Sequence, residues 1–491
     1  MKMNALSLAI LFISPACLAL SAGENGNPTL SHVISDYRAS LASLPLDYAL
    51  LDKKPLPGVM LQRYTLKSQS WSPQGAVSPA GWVNGVELYI PDSAREKNAL
   101  LVINNGSNDD GSGAPVAATD FSEAQLARIA TATRTVVIAV SNVPNKPLRY
   151  QGVEKPLADD DSVAYSWQLF MSDPQKYQQA SLHIPMAASA SQAFRLAQKE
   201  LSQQNLSTFM ITGVSKRAWA AWLTALSDPN AIAVIPVAFD LLGTKAALSH
   251  MYQSYGNNWP VAFYPYYKQG IDRQINTGAF AHLMTLEDPL AYLHTDMGDQ
   301  LKIDKYIINA SGDDFYVPDN SHFYYNQLPG HNSLRVVPNS SHYGILSVTE
   351  QSLTTVVNRH QAGQKLPEVM EKVQSGRNGN KTLTAIFSEK PTSVVQWTAT
   401  NPVARDFRYA CDIHYHATPV TLTTGLATPG IPLTTPDQGW QATYLEATFS
   451  DGYVATTQVY ITPDDSYPKT APPAGTAACQ TLPGRGLTPA S

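Results

Sequence analysis

At 491 residues the chain is long enough for two to three domains and a large core. With 44% hydrophobic and only 15% charged residues it is too apolar to be a disordered protein. A formal net charge of −5 without any basic cluster argues against a nucleic-acid partner.

The first residues read as a secretory signal over 1–21: Lys2, an apolar run from Ala5 to Leu20, and Ala19-Leu20-Ser21 as a small-x-small cleavage site. The run is too short and wrongly flanked for a stable membrane span, and no later segment is apolar enough to be one. The expectation is an exported chain, periplasmic or extracellular. Lipidation at Cys17 is less favoured, because Ser14-Pro15-Ala16 is a poor context for it. Cleavage after Ser21 takes the basic count from 34 to 33 against 39 acidic residues, a net charge of about −6. It also leaves Cys411 and Cys479, and two cysteines in an exported chain suggest one disulfide.

Residues 30–97 are mixed, with strand-like stretches at Tyr64–Trp71 and Gly85–Ile90 that suit an antiparallel start to a sheet. From Asn98 to Val337 short apolar strands alternate with helical segments. The strands are Ala99–Asn104, Thr135–Val140, Thr208–Thr212, Ile232–Phe239, Tyr306–Asn309 and Leu334–Val337; the helices include Phe121–Ala132, Ala187–Leu201 and Lys216–Leu226. This alternation predicts an α/β domain over 22–375, a mainly parallel sheet with helices on both faces. Insertions at 145–185 and 243–305 interrupt it. The second is aromatic-rich, with Tyr252, Tyr255, Trp259, Phe263, Tyr264, Tyr266 and Tyr267, and suits either a substrate wall or a cap packed on itself. After Gly376 the helical period disappears. Thr382–Phe387, Val394–Thr400, Thr443–Phe449 and Val454–Ile461 alternate as half-buried strands, which predicts a small antiparallel β-sandwich over 376–465. The Pro/Gly-rich tail, 466–491, reads as extended or loosely ordered.

Gly213-Val214-Ser215-Lys216-Arg217 lies between the strand TFMIT and the helix AWAAWLTAL, the setting of a nucleophile elbow. There a serine hydroxyl projects above the sheet edge and the helix N-terminus stabilises developing negative charge. The usual second glycine, two residues after the serine, is here Arg217. The next two strands end in Ser311-Gly312-Asp313-Asp314-Phe315 and in Asn339-Ser340-Ser341-His342, so serine, acid and histidine follow the hydrolase order at one sheet edge. Serine needs a histidine to take its proton, and the histidine needs a carboxylate to fix its tautomer. Asp313 fits the turn directly after Gly312, and Asp314 fits the spacing to Val317-Pro318. For the oxyanion, the N–H of Lys216 and the loop Asn104–Asn108, through Gly106 and Ser107, are the candidate donors.

The motifs G-V-S-K-R-x-W at 213–219 and S-G-D-acid-F-x-x-P-D at 311–319, with the later Ser-His, resemble the PhoPQ-activated pathogenicity-related proteins, as do Asp160–Trp167 and Ile235–Asp240. The resemblance extends over about residues 30–460 and implies an α/β-hydrolase with a C-terminal β extension, tied to regulated bacterial envelope responses and virulence. The family usually has glycine at the position of Ala218 and Gly-Asp-Glu-Phe where this chain has Gly312-Asp313-Asp314-Phe315. An aspartate fixed at 313, with either acid tolerated at 314, favours Asp313 as the triad acid.

Other features have plainer readings. Asp412, His414 and His416 would share one face of a strand, but no fourth metal ligand is evident. Asp159, Asp160 and Asp161 read as a helix N-cap cluster. Lys216 and Arg217 could bind an anionic group or simply form a solvated or salt-bridged first turn. Asp240 either shapes the cleft or holds a loop, and Trp219 and Trp222 read as core. The expectation is a serine hydrolase cleaving an ester or peptide bond through an acyl-enzyme on Ser215, with no cofactor or metal. Its partners would be a small-molecule or peptide substrate, with possible envelope association. The alternative is a hydrolase-like binding or signalling protein.

Overall fold

The computed structural model describes residues 30–109, 112–376, 380–423 and 425–489. The signal segment 1–21, and Cys17 with it, lies outside the described residues.

Nine strands form the main sheet: β1 (Asp47–Leu56), β2 (Val59–Ser70), β3 (Gly81–Pro91), β4 (Asn98–Ile103), β5 (Val136–Ser141), β6 (Thr208–Val214), β7 (Ala231–Val237), β8 (Asp304–Ala310) and β9 (Asn332–Val337). Their spatial order is β1-β2-β3-β5-β4-β6-β7-β8-β9. The first three strands and the β3–β5 pair run antiparallel, and every pair from β5 to β9 is parallel. This is the expected α/β-hydrolase sheet. The parallel strands are short and apolar because both faces are covered. In β4, Leu101 and Ile103 join one buried cluster while Leu100 and Val102 join the other, the two-residue period of a strand buried on both sides.

The helices are α1 (Val33–Ala42), α2 (Glu123–Thr133), α3 (Asp159–Ser172), α4 (His183–Glu200), α5 (Lys216–Ser227), α6 (Thr244–Ser254), α7 (Tyr264–Lys268), α8 (Gly278–Glu287) and α9 (Thr349–Gln361). The 145–185 insertion contains α3. The 243–305 insertion contains α6, α7 and α8, with Tyr255, Trp259, Phe263 and Tyr266 buried. Rings in this insertion stack in a row: Trp259 on Phe263 at 4.4 Å and Phe263 on Tyr266 at 5.2 Å.

From Val369 on, the described residues form β structure, apart from the short helical turns Tyr409–Cys411 and Ala477–Cys479. A three-stranded sheet holds β10 (Val369–Ser375), β11 (Lys381–Phe387) and β14 (Ile431–Leu433). A five-stranded sheet holds β12 (Ser393–Asn401), β13 (His416–Pro419), β15 (Trp440–Thr448), β16 (Val454–Thr456) and β17 (Tyr460–Thr462). The run 454–461, which the sequence pattern makes one strand, is thus split in two. The C-terminal sheets share a core with the main sheet: Leu383, Phe387, Leu445 and Phe449 belong to the same buried cluster as Leu100, Met210, Ile308 and Val356. Polar ties reinforce the junction. Tyr306 Oη donates to Val454 O at 2.7 Å, the Val336 N–H donates to Thr456 Oγ1 at 3.1 Å, and Arg359 on α9 grips Asp451 and Glu389 at 2.6 Å each.

Of the two readings of the tail, extended or loosely ordered, the extended one describes it, and the tail is tied down. Thr481–Leu482 pair with Trp259–Pro260, Arg485 binds Asp272 at 2.7 Å, and a disulfide joins Cys479 to Cys411. Proline and glycine keep the tail out of regular structure, but these side chains and backbone bonds fix it on the α6–α8 insertion. No described helix is long and apolar enough to cross a membrane.

Candidate active site

Ser215 occupies the turn between β6 and α5 with φ 58° and ψ −124°, a conformation that costs a non-glycine residue about 1–3 kcal/mol. Backbone bonds enforce it: the Ser215 N–H donates to Val237 O at 2.9 Å, and its carbonyl accepts from the Trp219 N–H at 3.1 Å. Gly213 is required by close approach, since a Cβ there would meet Arg217 O at 2.6 Å. The glycine usual two residues after the serine is dispensable here because the Arg217 side chain has its own buried berth. Its Nε–H donates to Val143 O at 2.7 Å, and its guanidinium pairs with Asp120 at 3.1 Å and Asp159 at 3.4 Å.

His342 follows β9 and Asp313 follows β8. His342 Nδ1 lies 2.8 Å and 3.0 Å from the two Asp313 oxygens, and Asp313 Oδ1 also accepts the backbone N–H groups of Phe315 and Tyr316. The geometry therefore selects Asp313 as the partner of His342. Burial alone would lower the His342 pKa, but the charge of Asp313 and its hydrogen bond outweigh burial and hold the imidazole above the ordinary histidine value. Ser215 makes no hydrogen bond to His342; both open on one cavity of about 210 Å³. Such contacts often tighten only with substrate bound. Lys216, Trp219, Tyr266, Tyr316, Tyr343 and Asp314 also line this cavity. Asp314 is thus a wall residue and not the histidine's partner.

The first-turn N–H groups of α5, that of Lys216 included, have no partner within the helix and face the serine end. The Ser107 N–H is committed to Val116 O at 3.0 Å, and neither Gly106 nor Ser107 lines the cavity. Gly106, at φ 108°, serves close packing instead, where a Cβ would meet Asn142 Oδ1 at 2.7 Å.

Lys216 and Arg217 are buried, not solvated. Lys216 Nζ pairs with Asp160 at 3.0 Å, Lys146 with Asp159 at 2.7 Å, and Lys268 with Asp161 at 3.1 Å. The three aspartates therefore do not cap α3. The N-cap position is Ala158, and they clamp α3 to α5, to the loop after β5 and to the α6–α8 insertion. Asp240 holds a loop: it accepts Tyr324 Oη–H at 2.6 Å, its carbonyl accepts Asn320 Nδ2–H at 2.8 Å, and burial pushes its carboxyl up to about 8. Asp412, His414 and His416 do not share a strand face. Asp412 sits at φ 61° after a short helical turn, His414 hydrogen-bonds Asp412 at 2.9 Å, and the strand begins only at His416.

Sequence reasoning misses the support behind the wall. Trp219 donates its indole N–H to Glu287 O at 2.6 Å and stacks on His183 at 4.7 Å, and His183 Nδ1 lies 2.7 Å from Glu287 Oε2, both side chains fully buried. Trp219 closes the G-V-S-K-R-x-W motif, but His183 and Glu287 lie far from it in sequence and carry no motif. Only the aromatic density around Tyr266 hints at the wall.

A serine on a strained strand-to-helix turn, then an aspartate and a histidine after successive later strands of this sheet, define an α/β-hydrolase-fold protein. The chain belongs to the PhoPQ-activated pathogenicity-related protein family, whose model matches residues 34–408. Autocrine proliferation repressor protein A of Dictyostelium discoideum is 26% identical over 404 residues, 78% of this chain and 79% of that protein. Similar solved structures include an acetyl xylan esterase from Paenibacillus sp. R4, at 13% identity and TM-score 0.45, covering 68% of this chain and 95% of that one. Another is acetyl xylan esterase 1 from Thermoanaerobacterium sp. JW/SL YS485, at 12% identity and TM-score 0.42, covering 66% and 93%.

Proposed function

We propose that this protein is an exported serine hydrolase that cleaves an ester or peptide bond through an acyl-enzyme on Ser215. The observation that carries the reading is the His342–Asp313 pair, held at 2.8 Å and opening on the same small cavity as the strained Ser215. In this scheme Ser215 Oγ attacks the carbonyl carbon, and His342 takes the hydroxyl proton and returns it to the leaving group. Asp313 fixes the imidazole orientation, and the Lys216 N–H helps hold the oxyanion. Water then cleaves the acyl-enzyme by the same steps. Export is supported by the Cys411–Cys479 disulfide, which suits an oxidising compartment.

The test is fluorophosphonate labelling of the mature protein followed by peptide mapping. The expected result is one adduct on Ser215 that is absent from Ser215→Ala. A second reading, a hydrolase-like binding protein with little turnover, draws on the missing hydrogen bond between Ser215 and His342. Well-folded protein that takes up no label would establish that reading over the first.

A further inference from the structure

Resting on the serine-hydrolase reading, we infer that the cavity beside Ser215 is built for a substrate whose acyl part carries an ammonium group, received by Asp314 and the surrounding aromatic rings. The argument begins with charge. Three charged side chains line the cavity besides His342, and two of them satisfy each other: Lys216 and Asp160, at 3.0 Å. His342 is matched by Asp313. Asp314 is left, among the described residues, as the lining charge without an ion pair, and one of its carboxylate oxygens is buried with no hydrogen-bond partner. A half-buried carboxylate in that condition is costly unless a cation or donor arrives to meet it. Burial, and then the charge of Asp313, raise its carboxyl above the ordinary aspartate range. The charge of His342, a hydrogen bond from the His342 backbone N–H to the carboxylate, and the charge of Arg408 offset this only in part, and Arg408 is already engaged with Asp406 at 2.6 Å.

The walls point the same way. Trp219, Tyr266, Phe315, Tyr316 and Tyr343 surround the space, and their rings form a chain of contacts. Tyr266 meets Phe315 at 5.9 Å, Phe315 meets Tyr316 at 4.9 Å, and Tyr316 meets the His342 ring at 6.0 Å. Aromatic faces attract organic cations through the ring quadrupole, and more strongly where water is excluded. A neutral acyl chain would gain from the rings but would leave Asp314 unmatched. An anionic acyl group would be repelled by it. Size limits the group to a short chain, because the cavity measures only about 210 Å³.

The test compares 4-nitrophenyl 3-aminopropanoate, cationic near neutral pH, with its uncharged isostere 4-nitrophenyl butanoate, each corrected for spontaneous hydrolysis. The expected kcat/KM ratio favours the cationic ester by roughly tenfold or more, the worth of one charge-assisted hydrogen bond. In Asp314→Asn the ratio should fall close to one. A ratio near one in the native protein overturns the inference, and so does a preference that survives in Asp314→Asn. If neither ester is turned over, the hydrolase reading suffers first, and binding of 3-aminopropanamide against butanamide, followed by tryptophan fluorescence, puts the same question to the subsite. Selective binding of the amine that Asp314→Asn abolishes supports it. Equal binding, or none, overturns it.

Discussion

At the scale of single residues, the dyad carries a pH signature. On the proposed mechanism His342 must be neutral to accept the Ser215 proton, and Asp313 holds it above the ordinary value near 6.5. Labelling and turnover should therefore fall as pH drops through a midpoint above 6.5, and Asp313→Asn should move that midpoint down. The variant should also slow the reaction by roughly 10³- to 10⁴-fold, since the imidazole loses its orienting partner. A pH profile of the fluorophosphonate labelling rate in both proteins checks both points. Stability runs the other way. A histidine whose folded pKa is raised stabilises the fold below its unfolded value, and that contribution is lost as pH rises through the folded one.

The serine, the acid and the histidine are legible in the sequence because each sits a few residues beyond a short apolar strand, where local pattern marks position. The choice between Asp313 and Asp314 needs three dimensions, or a family habit, because adjacent residues on a turn point different ways. The loop after β4 escapes a sequence reading for a related reason. Its shape comes from side chains gripping distant backbone: Asn104 Oδ1 accepts the Phe121 N–H at 3.2 Å, and Asn105 Oδ1 accepts the Thr119 N–H at 2.6 Å. No local pattern encodes such closures.

Among the elements, α5 is tied to three neighbouring segments through Arg217. This one side chain ties α5 to the loop after β4 through Asp120, to the loop after β5 through Val143, and to α3 through Asp159. Asp120 and Arg217 are both almost fully buried, so removing the arginine leaves an uncompensated charge inside. Arg217→Ala should cost about 3–5 kcal/mol, far beyond an ordinary surface change. Urea unfolding of the variant checks this, and Arg217→Lys should restore only part of it because a lysine cannot make the forked contacts. The elements themselves are legible where burial on two faces forces β-branched runs, as in β4, β5 and β7. β1 is not, because its ten residues, DYALLDKKPL, are mostly exposed and join the sheet through one backbone ladder with β2. α3 lies inside what reads as an insertion, and the aspartate cluster marks its start to within a residue, although the three side chains turn out to lie in its first turn and not at its cap.

For the molecule as a whole, the shared core means that the C-terminal strands are not an appendage. Leu383, Phe387 and Leu445 fill the same cluster as the helices behind the main sheet. We expect one cooperative unfolding transition for both parts, seen as coincident melting in far-ultraviolet and near-ultraviolet circular dichroism. The disulfide spans 68 residues, and closing such a loop is worth about 4 kcal/mol by chain entropy. Reduction should therefore lower the melting temperature by several degrees, and calorimetry with and without dithiothreitol reads it.

The pinned tail also sets an order in time. The cavity wall bearing Ala262 and Tyr266 is tied down by Thr481–Leu482 and Arg485, which leave the ribosome long after Ser215, Asp313 and His342. A growing chain thus carries Ser215, Asp313 and His342 well before it carries the anchor for the cavity on which Ser215 and His342 open. The wall is completed late in synthesis, so a ribosome that stops short of Thr481 releases a chain that holds all three side chains but lacks the anchor of the cavity wall.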